Sequence, residues 1–303
     1  MDVSATVVVG VDGSPSSFDA VVVAAREAVL RGSALRIVHA FSRQLTKVPL
    51  GPSGVAQPEG VLDNEAQQTA EEAAARARLA QPGLEVTAAV VAGSPLSVLT
   101  DASQGAALVV VGTRGLGGVT GLLVGSVAVH LAAHAACPLL VARGRPAASG
   151  PLLLGVDGSD VGDAAVGWAF AEASLRGAEL VALHAWNNWT GPVAVGPGVQ
   201  MPPVYDLDTL RAEAERTLEA ALAPWREQYP EVRVVPQLIQ EYTRQALIEA
   251  SEEAQLLVVG ARGRGGFAGL LLGSVSQAIL HHAACPVAVV RREQEPEHRY
   301  ELE

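Results

Sequence analysis

An internal duplication is the feature of this sequence that most constrains its fold. The segment VVVGVDGS at residues 7–14 returns as LLLGVDGS at residues 152–159, an offset of 145. A longer block at residues 109–138 returns at 257–286, with the offset now 148. The copies cover nearly the whole chain at a period close to the size of a domain. This pattern indicates a tandem duplication of one domain and not a solenoid of short repeats.

The duplication predicts where the domains begin and end. We expect one domain over residues 1–144 and a second over 151–292, with a linker at 144–150 that is rich in Pro, Ala, Ser and Gly. With 303 residues, of which 49% are hydrophobic, the chain is long enough to bury a substantial core in each copy. Neither copy is therefore expected to be disordered.

Net charge and cysteine content argue against nucleic-acid binding, a disulfide framework and a secreted protein. The formal net charge of −11, without a basic stripe, argues against nucleic acid. The two cysteines lack CxxC spacing, so they form neither a disulfide framework nor a metal knuckle and suit a reducing compartment. The first apolar run is short and has no basic flank, unlike a signal peptide. We expect a cytoplasmic protein.

Two long uncharged stretches, at residues 121–142 and 265–290, could be mistaken for membrane spans. Each is interrupted by a Gly-Ser pair, by histidines and by a Cys-Pro pair. A buried helix, a turn marked by proline and a buried strand explain this pattern better than a lipid-spanning helix. No membrane association is expected.

Within a copy, short β-branched runs alternate with stretches of helical spacing. Continuously apolar strands that alternate with helices predict a parallel sheet covered on both faces, and right-handed crossovers allow a doubly wound order. The closing segments at 138–142 and 286–290 would each leave an apolar edge open, so we expect them to pair edge to edge. In the first copy, strands are predicted near 5–11, 34–40, 84–91, 107–112 and 138–142, and helices near 15–31, 61–80, 94–104 and 124–135.

The motifs that carry chemistry follow the first and fourth predicted strands. Asp12-Gly-Ser ends the first strand, and the loop Gly112-x2-Gly115-x9-Gly125-Ser follows the fourth. Ligands of doubly wound sheets bind at the carboxyl ends of the strands where the winding reverses, so these two motifs face one crevice if the strands are neighbours. Glycines let the backbone N–H groups approach an oxyanion, and the Gly-Ser pair at a helix start favours phosphate. The second copy repeats every element of this arrangement.

These residues resemble the universal stress protein family, specifically its tandem, ATP-binding members. The resemblance covers almost the whole chain, because the Val-Asp-Gly-Ser strand end, the Gly-x2-Gly-x9-Gly-Ser loop and the Cys-Pro segment all occur twice in order. It implies two five-stranded parallel, adenine-nucleotide alpha-hydrolase-like α/β domains. It also implies a regulatory module of the stress response with one ATP site per domain, any Mg²⁺ being carried by the phosphates.

The resemblance further implies which residues contact the nucleotide. The aspartates would lie beside the adenosine, the alanines after the second strand near adenine, and the glycine loops around the phosphates. In the first copy the candidates are Gly10, Asp12, Ala40, Gly112, Thr113, Arg114, Gly115, Leu116, Gly117, Gly118, Gly125, Ser126 and Val127. In the second copy they are Gly155, Asp157, Ala185, Gly260, Ala261, Arg262, Gly263, Arg264, Gly265, Gly266, Gly273, Ser274 and Val275.

The two loops differ at one position: Arg264 in the second copy stands where the first has Leu116. An arginine there could pair with a phosphate oxygen. We therefore expect the second copy to bind a triphosphate more tightly.

Other nucleotide and catalytic motifs fit less well. Residues 263–268 formally match a dinucleotide fingerprint, but the loop follows the fourth strand and no acidic residue lies about 20 residues beyond it. There is no phosphate-loop lysine, no Gly-x-Ser-x-Gly elbow and no His-Glu-x-x-His helix. We assign no catalytic residue and no protein-held metal.

Two alternative functions stay open beside the regulatory one. An ATP-hydrolysing or phosphotransfer enzyme would need a positioned base and a metal-binding carboxylate, and neither glycine loop contains an acidic residue. Slow hydrolysis still needs only positioning and backbone donors. A nucleotide-independent interaction protein is the other alternative, and the complete loops argue against it. We also expect a protein partner that the sequence does not identify, and a homodimer of whole chains.

Several candidate residues also have purely structural interpretations. Asp12 and Asp157 could cap the following helix, and Arg114 and Arg262 could be solvated loop charges. Packed or dipole-stabilised histidines are commoner than catalytic ones near a helix end. This applies to His130, His134, His281 and His282. Cys137 and Cys285 are expected to be buried and inert, and Trp186 and Trp189 to serve packing or a partner surface.

Overall fold

The computed structural model describes residues 6–41, 59–115, 124–144, 149–186, 206–264 and 271–292. These residues form two compact units. The first takes the chain up to Gly144 and again from Pro286, and the second takes the intervening residues up to Cys285. Five of the candidate residues lie outside the described residues, as do Trp189 and most of the expected linker: they are Leu116, Gly117, Gly118, Gly265 and Gly266.

Strands and helices alternate along the chain, as the periodicity predicts. The first copy contains β1 (Val7–Val11), α1 (Pro15–Leu30), β2 (Leu35–Phe41), α2 (Glu59–Ala80), β3 (Val86–Ala92), α3 (Pro95–Ala102), β4 (Leu108–Gly112), α4 (Ser126–His134) and β5 (Leu139–Ala142). The second contains β6 (Leu152–Gly155), α5 (Asp163–Arg176), β7 (Leu180–Trp186), α6 (Leu207–Gln228), β8 (Val234–Gln240), α7 (Thr243–Ala250), β9 (Leu256–Gly260), α8 (Ser274–His282) and β10 (Val287–Val290).

The sheet of the first unit has the order β3-β2-β1-β4-β5, with all neighbours parallel. β10 then pairs with β5 in antiparallel fashion, with Val287 opposite Val141. The predicted pairing of these two closing segments is therefore present. Because β2 and β4 lie on opposite sides of β1, the winding reverses there, and the carboxyl ends of β1 and β4 are adjacent.

The sheet of the second unit has the order β9-β6-β7-β8, again with parallel neighbours. β6 lies between β7 and β9, so its carboxyl end occupies the place that β1 has in the first unit. The doubly wound parallel architecture expected from the sequence is thus confirmed in both units.

Burial and capping explain why these segments form these elements. All five residues of β1 are buried, as expected for a strand with helices on both faces. Ser14 caps α1 by accepting a hydrogen bond from the Ser17 amide, and Pro15 takes the first helical position, where a missing N–H costs nothing. Ser94 and Pro95 begin α3 in the same way. Among the described residues, no helix is both long enough and apolar enough to span a bilayer.

Candidate functional site

A cavity of about 290 Å³ lies at the carboxyl ends of β1 and β4 in the first unit. It is where the winding of the sheet reverses, the usual ligand position in such folds. Ten of the predicted contact residues line it: Gly10, Asp12, Ala40, Gly112, Thr113, Arg114, Gly115, Gly125, Ser126 and Val127. The remaining lining residues were not predicted: Val11, Ser17, Val38, Pro95, Leu99, Val111 and Ala128.

One wall of the cavity is apolar. Val38 and Ala40 contribute it from β2, and Pro95 and Leu99 contribute it from α3. Gly10 borders the same wall, since a Cβ at this position would lie 2.7 Å from Leu99 Cδ1. The lack of a side chain at Gly10 therefore lets Leu99 pack directly against the end of β1.

Asp12 stands at the end of β1 and is oriented by its own turn. Its Oδ1 accepts hydrogen bonds from the Ser14 amide at 3.0 Å and from Ser14 Oγ at 2.6 Å. Ser14, and not Asp12, caps α1, so the interpretation of Asp12 as the helix cap is wrong. A short side chain that bonds the backbone two residues on holds the local turn instead.

Asp157 is held in the same way in the second unit. Its Oδ1 accepts from the Ser159 amide at 3.0 Å and from Ser159 Oγ at 2.8 Å. The residue that caps α5 is Gly162, so Asp157 does not cap a helix either. The aspartates thus keep the same backbone turn in both units although the following helices begin differently.

A histidine supports each aspartate turn, and the sequence did not predict this role. His39 Nδ1 lies 2.8 Å from the Val11 carbonyl, and His184 Nδ1 lies 2.7 Å from the Val156 carbonyl. In each case Nδ1 must carry the proton and donate it to the oxygen. The only hint in the sequence is that both histidines lie at the 145-residue offset of the duplication.

The glycine loop after β4 lies directly against this turn. A Cβ at Gly112 would be 2.4 Å from Ser16 Oγ, and a Cβ at Gly115 would be 2.3 Å from Asp12 Oδ2. Ser16 Oγ also donates to the Arg114 carbonyl at 2.7 Å and accepts from the Arg114 amide at 3.1 Å. Only glycine allows this close approach, which places main-chain groups of the loop around the Asp12 carboxylate.

The start of α4 completes the polar side of the cavity. Gly125 is the N-cap and has no side chain with which to bond the first-turn amides, and the Gly125 amide donates to the Thr113 carbonyl at 2.7 Å. Helix geometry leaves the first N–H groups without partners inside the helix, and the macrodipole makes this end attractive to anions. Ser126 adds a hydroxyl at the cavity.

The second unit places its candidates correspondingly. Gly155 ends β6, Ala185 lies near the end of β7 and Gly260 ends β9, with Ala261 and Arg262 following. Gly273 caps α8, which begins with Ser274 and Val275. A Cβ at Gly263 would lie 2.2 Å from Asp157 Oδ2, so this loop also rests on its aspartate.

Arg264 connects the loop after β9 with the turn after β6. Its amide donates to Asp157 Oδ2 at 2.9 Å, and its guanidinium Nη2 donates to the Gly158 carbonyl at 2.8 Å. The guanidinium therefore reaches from the β9 loop to the turn after β6. The two other loop arginines, Arg114 and Arg262, are exposed, in keeping with their interpretation as solvated charges.

The histidines and cysteines near the helix ends lie apart from this chemistry. His130 and His134 stack with ring centroids 4.1 Å apart at the end of α4 opposite Gly125. Burial, and then the neighbouring His134, lower the pKa of His130. Cys137 is half-buried, where full burial was expected, whereas Cys285 is buried. Burial raises the pKa of the Cys137 thiol to about 11.

Within the described ranges, no group of three or more His, Cys, Asp or Glu side chains is close enough together to hold a metal ion.

Fold and crevice together define a tandem protein of doubly wound α/β domains with glycine loops at the strand ends. Comparison with known proteins identifies the family. The model of the universal stress protein family matches residues 5–143 and again residues 149–291, and the chain belongs to this family. Universal stress protein Rv2623 of Mycobacterium tuberculosis H37Rv is 38% identical over 296 residues, which are 94% of this chain and 96% of that protein.

A solved structure that covers nearly the whole chain agrees with the fold. The crystal structure of a universal stress protein from Archaeoglobus fulgidus covers 96% of this chain and 97% of its own, with a TM-score of 0.68 and 19% sequence identity. A universal stress protein crystallised in complex with cAMP covers 46% of this chain and 97% of its own, with 29% identity and a TM-score of 0.36.

Proposed function

We propose that each half of the chain binds one adenine nucleotide, ATP above all, and that the protein acts as a regulatory stress-response module. The observation that carries the proposal is the 290 Å³ cavity of the first unit, which combines an apolar wall with a glycine loop and a helix start. Its volume is close to the lower end of the roughly 300–1,000 Å³ typical of small-molecule sites.

The two sides of the cavity suit the two ends of a nucleotide. Ala40 and Leu99 belong to the apolar wall, which suits the flat base. The main-chain amides around Gly115 and the first turn of α4 suit the phosphates, because they supply N–H donors and a positive dipole end. Asp12 lies between these regions, where a carboxylate can accept hydrogen bonds from ribose hydroxyls.

The regulatory interpretation suits a site that can bind a nucleotide without any catalytic residue. Binding alone requires no base, and Mg²⁺ would enter with the phosphates. We further propose that the protein works in the cytoplasm, that whole chains associate as a homodimer, and that the nucleotide state controls contact with a protein partner.

Nucleotide content of the purified full-length chain tests the proposal. The protein is denatured, released nucleotides are identified by mass and chromatography, and any emptied protein is titrated with ATP by calorimetry. We expect adenine nucleotide to approach two molecules per chain, one per crevice. Absence of bound nucleotide together with no binding heat at millimolar ATP would refute the proposal.

The same preparation separates a binding module from an enzyme. Phosphate release is followed with ATP in excess over the chain, at a temperature where the fold is intact. A binding module should keep most of its ATP through the measurement. Sustained turnover would replace the regulatory proposal with a nucleotide-hydrolysing one.

A further inference from the structure

The two units fasten their glycine loops by different side chains. In the first unit, Ser16 Oγ bonds both the amide and the carbonyl of Arg114. The second-copy residue at the offset of 145 is Val161, which has no hydrogen-bonding group and is 38% exposed. The second loop therefore cannot be held by the contact that holds the first.

Arg264 supplies an alternative fastening in the second unit. Its guanidinium donates to the Gly158 carbonyl in the turn after β6. Gly158 has a φ of +68°, and a Cβ there would lie 2.7 Å from Arg264 Nη2, so the guanidinium packs against a position suited only to glycine. The corresponding residue of the first copy, Leu116, has no side-chain donor with which to form this bond.

An anionic ligand can replace the Gly158 carbonyl as the hydrogen-bond partner of the Arg264 guanidinium. Arg264 is exposed, and its guanidinium bonds a neutral carbonyl. A phosphate oxygen is a stronger partner for a guanidinium, because the bond is charge-assisted and can be bidentate. The Ser16 contact of the first unit is neutral and has no comparable attraction to phosphate.

We infer that Arg264 is a specificity-determining residue of the second site: its guanidinium holds the loop to the Gly158 carbonyl and exchanges this partner for a phosphate oxygen when a polyphosphate nucleotide binds. The inference rests on the proposed function, since it concerns the same nucleotide site. It makes the second site prefer ATP over AMP more strongly than the first site does. It also means that the glycine loop of the second unit, and not that of the first, changes its hydrogen-bond partner when the nucleotide binds.

The affinity test isolates the second site in the full-length chain. Gly125→Asp places a carboxylate at the start of α4 and blocks the first site, and ATP and AMP are then titrated by calorimetry. Arg264→Leu, which installs the first-copy residue, should lower the ATP-over-AMP preference by about tenfold or more, the value of one charge-assisted hydrogen bond. Arg264→Lys should retain part of the preference, because the charge remains and the planar fork is lost.

A matched control separates the position of the charge from its mere loss. Arg233 lies before β8, at the amino-terminal edge of the sheet, and pairs with Glu179. Arg233→Leu removes the same charge and should leave the ATP-over-AMP preference unchanged. An unchanged preference in Arg264→Leu, with ATP still bound, would overturn the inference and leave the proposed function intact. Failure of the unaltered chain to bind any adenine nucleotide would overturn both.

Amide hydrogen exchange tests the latch without any nucleotide. The Arg264 amide donates a hydrogen bond to Asp157 Oδ2. We expect Arg264→Leu to speed exchange over residues 260–264 several-fold and to leave residues 112–115 unaffected. Equal exchange over residues 260–264 in variant and parent would show that the guanidinium does not hold the loop, even if nucleotide binding is normal.

Discussion

Replacing Gly125 by aspartate should abolish ATP binding in the first unit without unfolding it. Gly125 has φ −75° and ψ 157°, which any residue can adopt. A Cβ there would find its nearest neighbour, the Thr113 carbonyl oxygen, at 3.6 Å, an ordinary contact. Aspartate is also a good N-cap, so its carboxylate would accept the first-turn amides of α4.

The same geometry places a negative charge where the phosphate is expected. At about 4 Å and an effective dielectric constant near 20, two like charges repel by roughly 4 kcal/mol. This corresponds to a loss of affinity on the order of a thousandfold. The variant carboxylate also occupies the amide donors that a phosphate oxygen would use.

Calorimetric titration of the full-length chain with ATP provides the assay, and Gly125→Asn provides the control. Asparagine has nearly the same shape and caps helices equally well, but it carries no charge. We expect Gly125→Asp to remove one binding site per chain and Gly125→Asn to weaken it much less. Equal losses in both variants would show that bulk and not charge is responsible. Undiminished binding in both would refute the placement of phosphate at α4.

Three further outcomes follow from the structure. Gly115→Ala and Gly263→Ala would put a Cβ within 2.3 Å and 2.2 Å of the facing aspartate oxygens. Overpacking of this kind costs roughly 1–3 kcal/mol, so each variant should weaken ATP binding in its own unit by about tenfold. Unchanged calorimetric affinities would contradict this. Because the Cys137 thiol has its pKa raised to about 11, iodoacetamide should label it slowly at pH 8 and faster as the pH rises, and rapid labelling at pH 7 would contradict its burial. His134→Gln should raise the NMR titration midpoint of His130 only part of the way to 6.5, since burial is the larger cause of its lowered pKa. The contribution of neutral His130 to the free energy of unfolding is present above about pH 6.5 and declines as the pH falls through the lowered pKa.

The elements could be predicted from the sequence because their signals are local. The apolar run of β1 and the Ser-Pro starts of α1 and α3 depend on neighbouring residues only. The repeat then provided the apolar strand pattern a second time, although α5 and α7 lack the Ser-Pro start. Gly112 and Gly115 were found for the same reason, since their spacing is visible along the chain and recurs in the second copy.

Contacts between distant residues could not be predicted in this way. Ser16 and Arg114 are 98 positions apart, and His39 is 28 positions from the carbonyl that it bonds. The loss of the Ser16 hydroxyl at Val161 is visible in the sequence, but nothing there connects it with the arginine at position 264. Only the fold shows that both differences affect how the glycine loop of each unit is held in place.

The sequence by itself determined the family, the duplication, the order of strands and helices, and the glycines and aspartates at the strand ends. These depend on periodicity and on short motifs, which are properties of a chain read in one dimension. The tertiary structure decided how Asp12 is held, that Ser14 is the helix cap, and that Arg264 bonds Gly158 in the turn after β6. Such outcomes depend on which hydrogen-bonding groups meet across the sheet, and side-chain geometry at distances near 3 Å is set only when the strands have packed side by side.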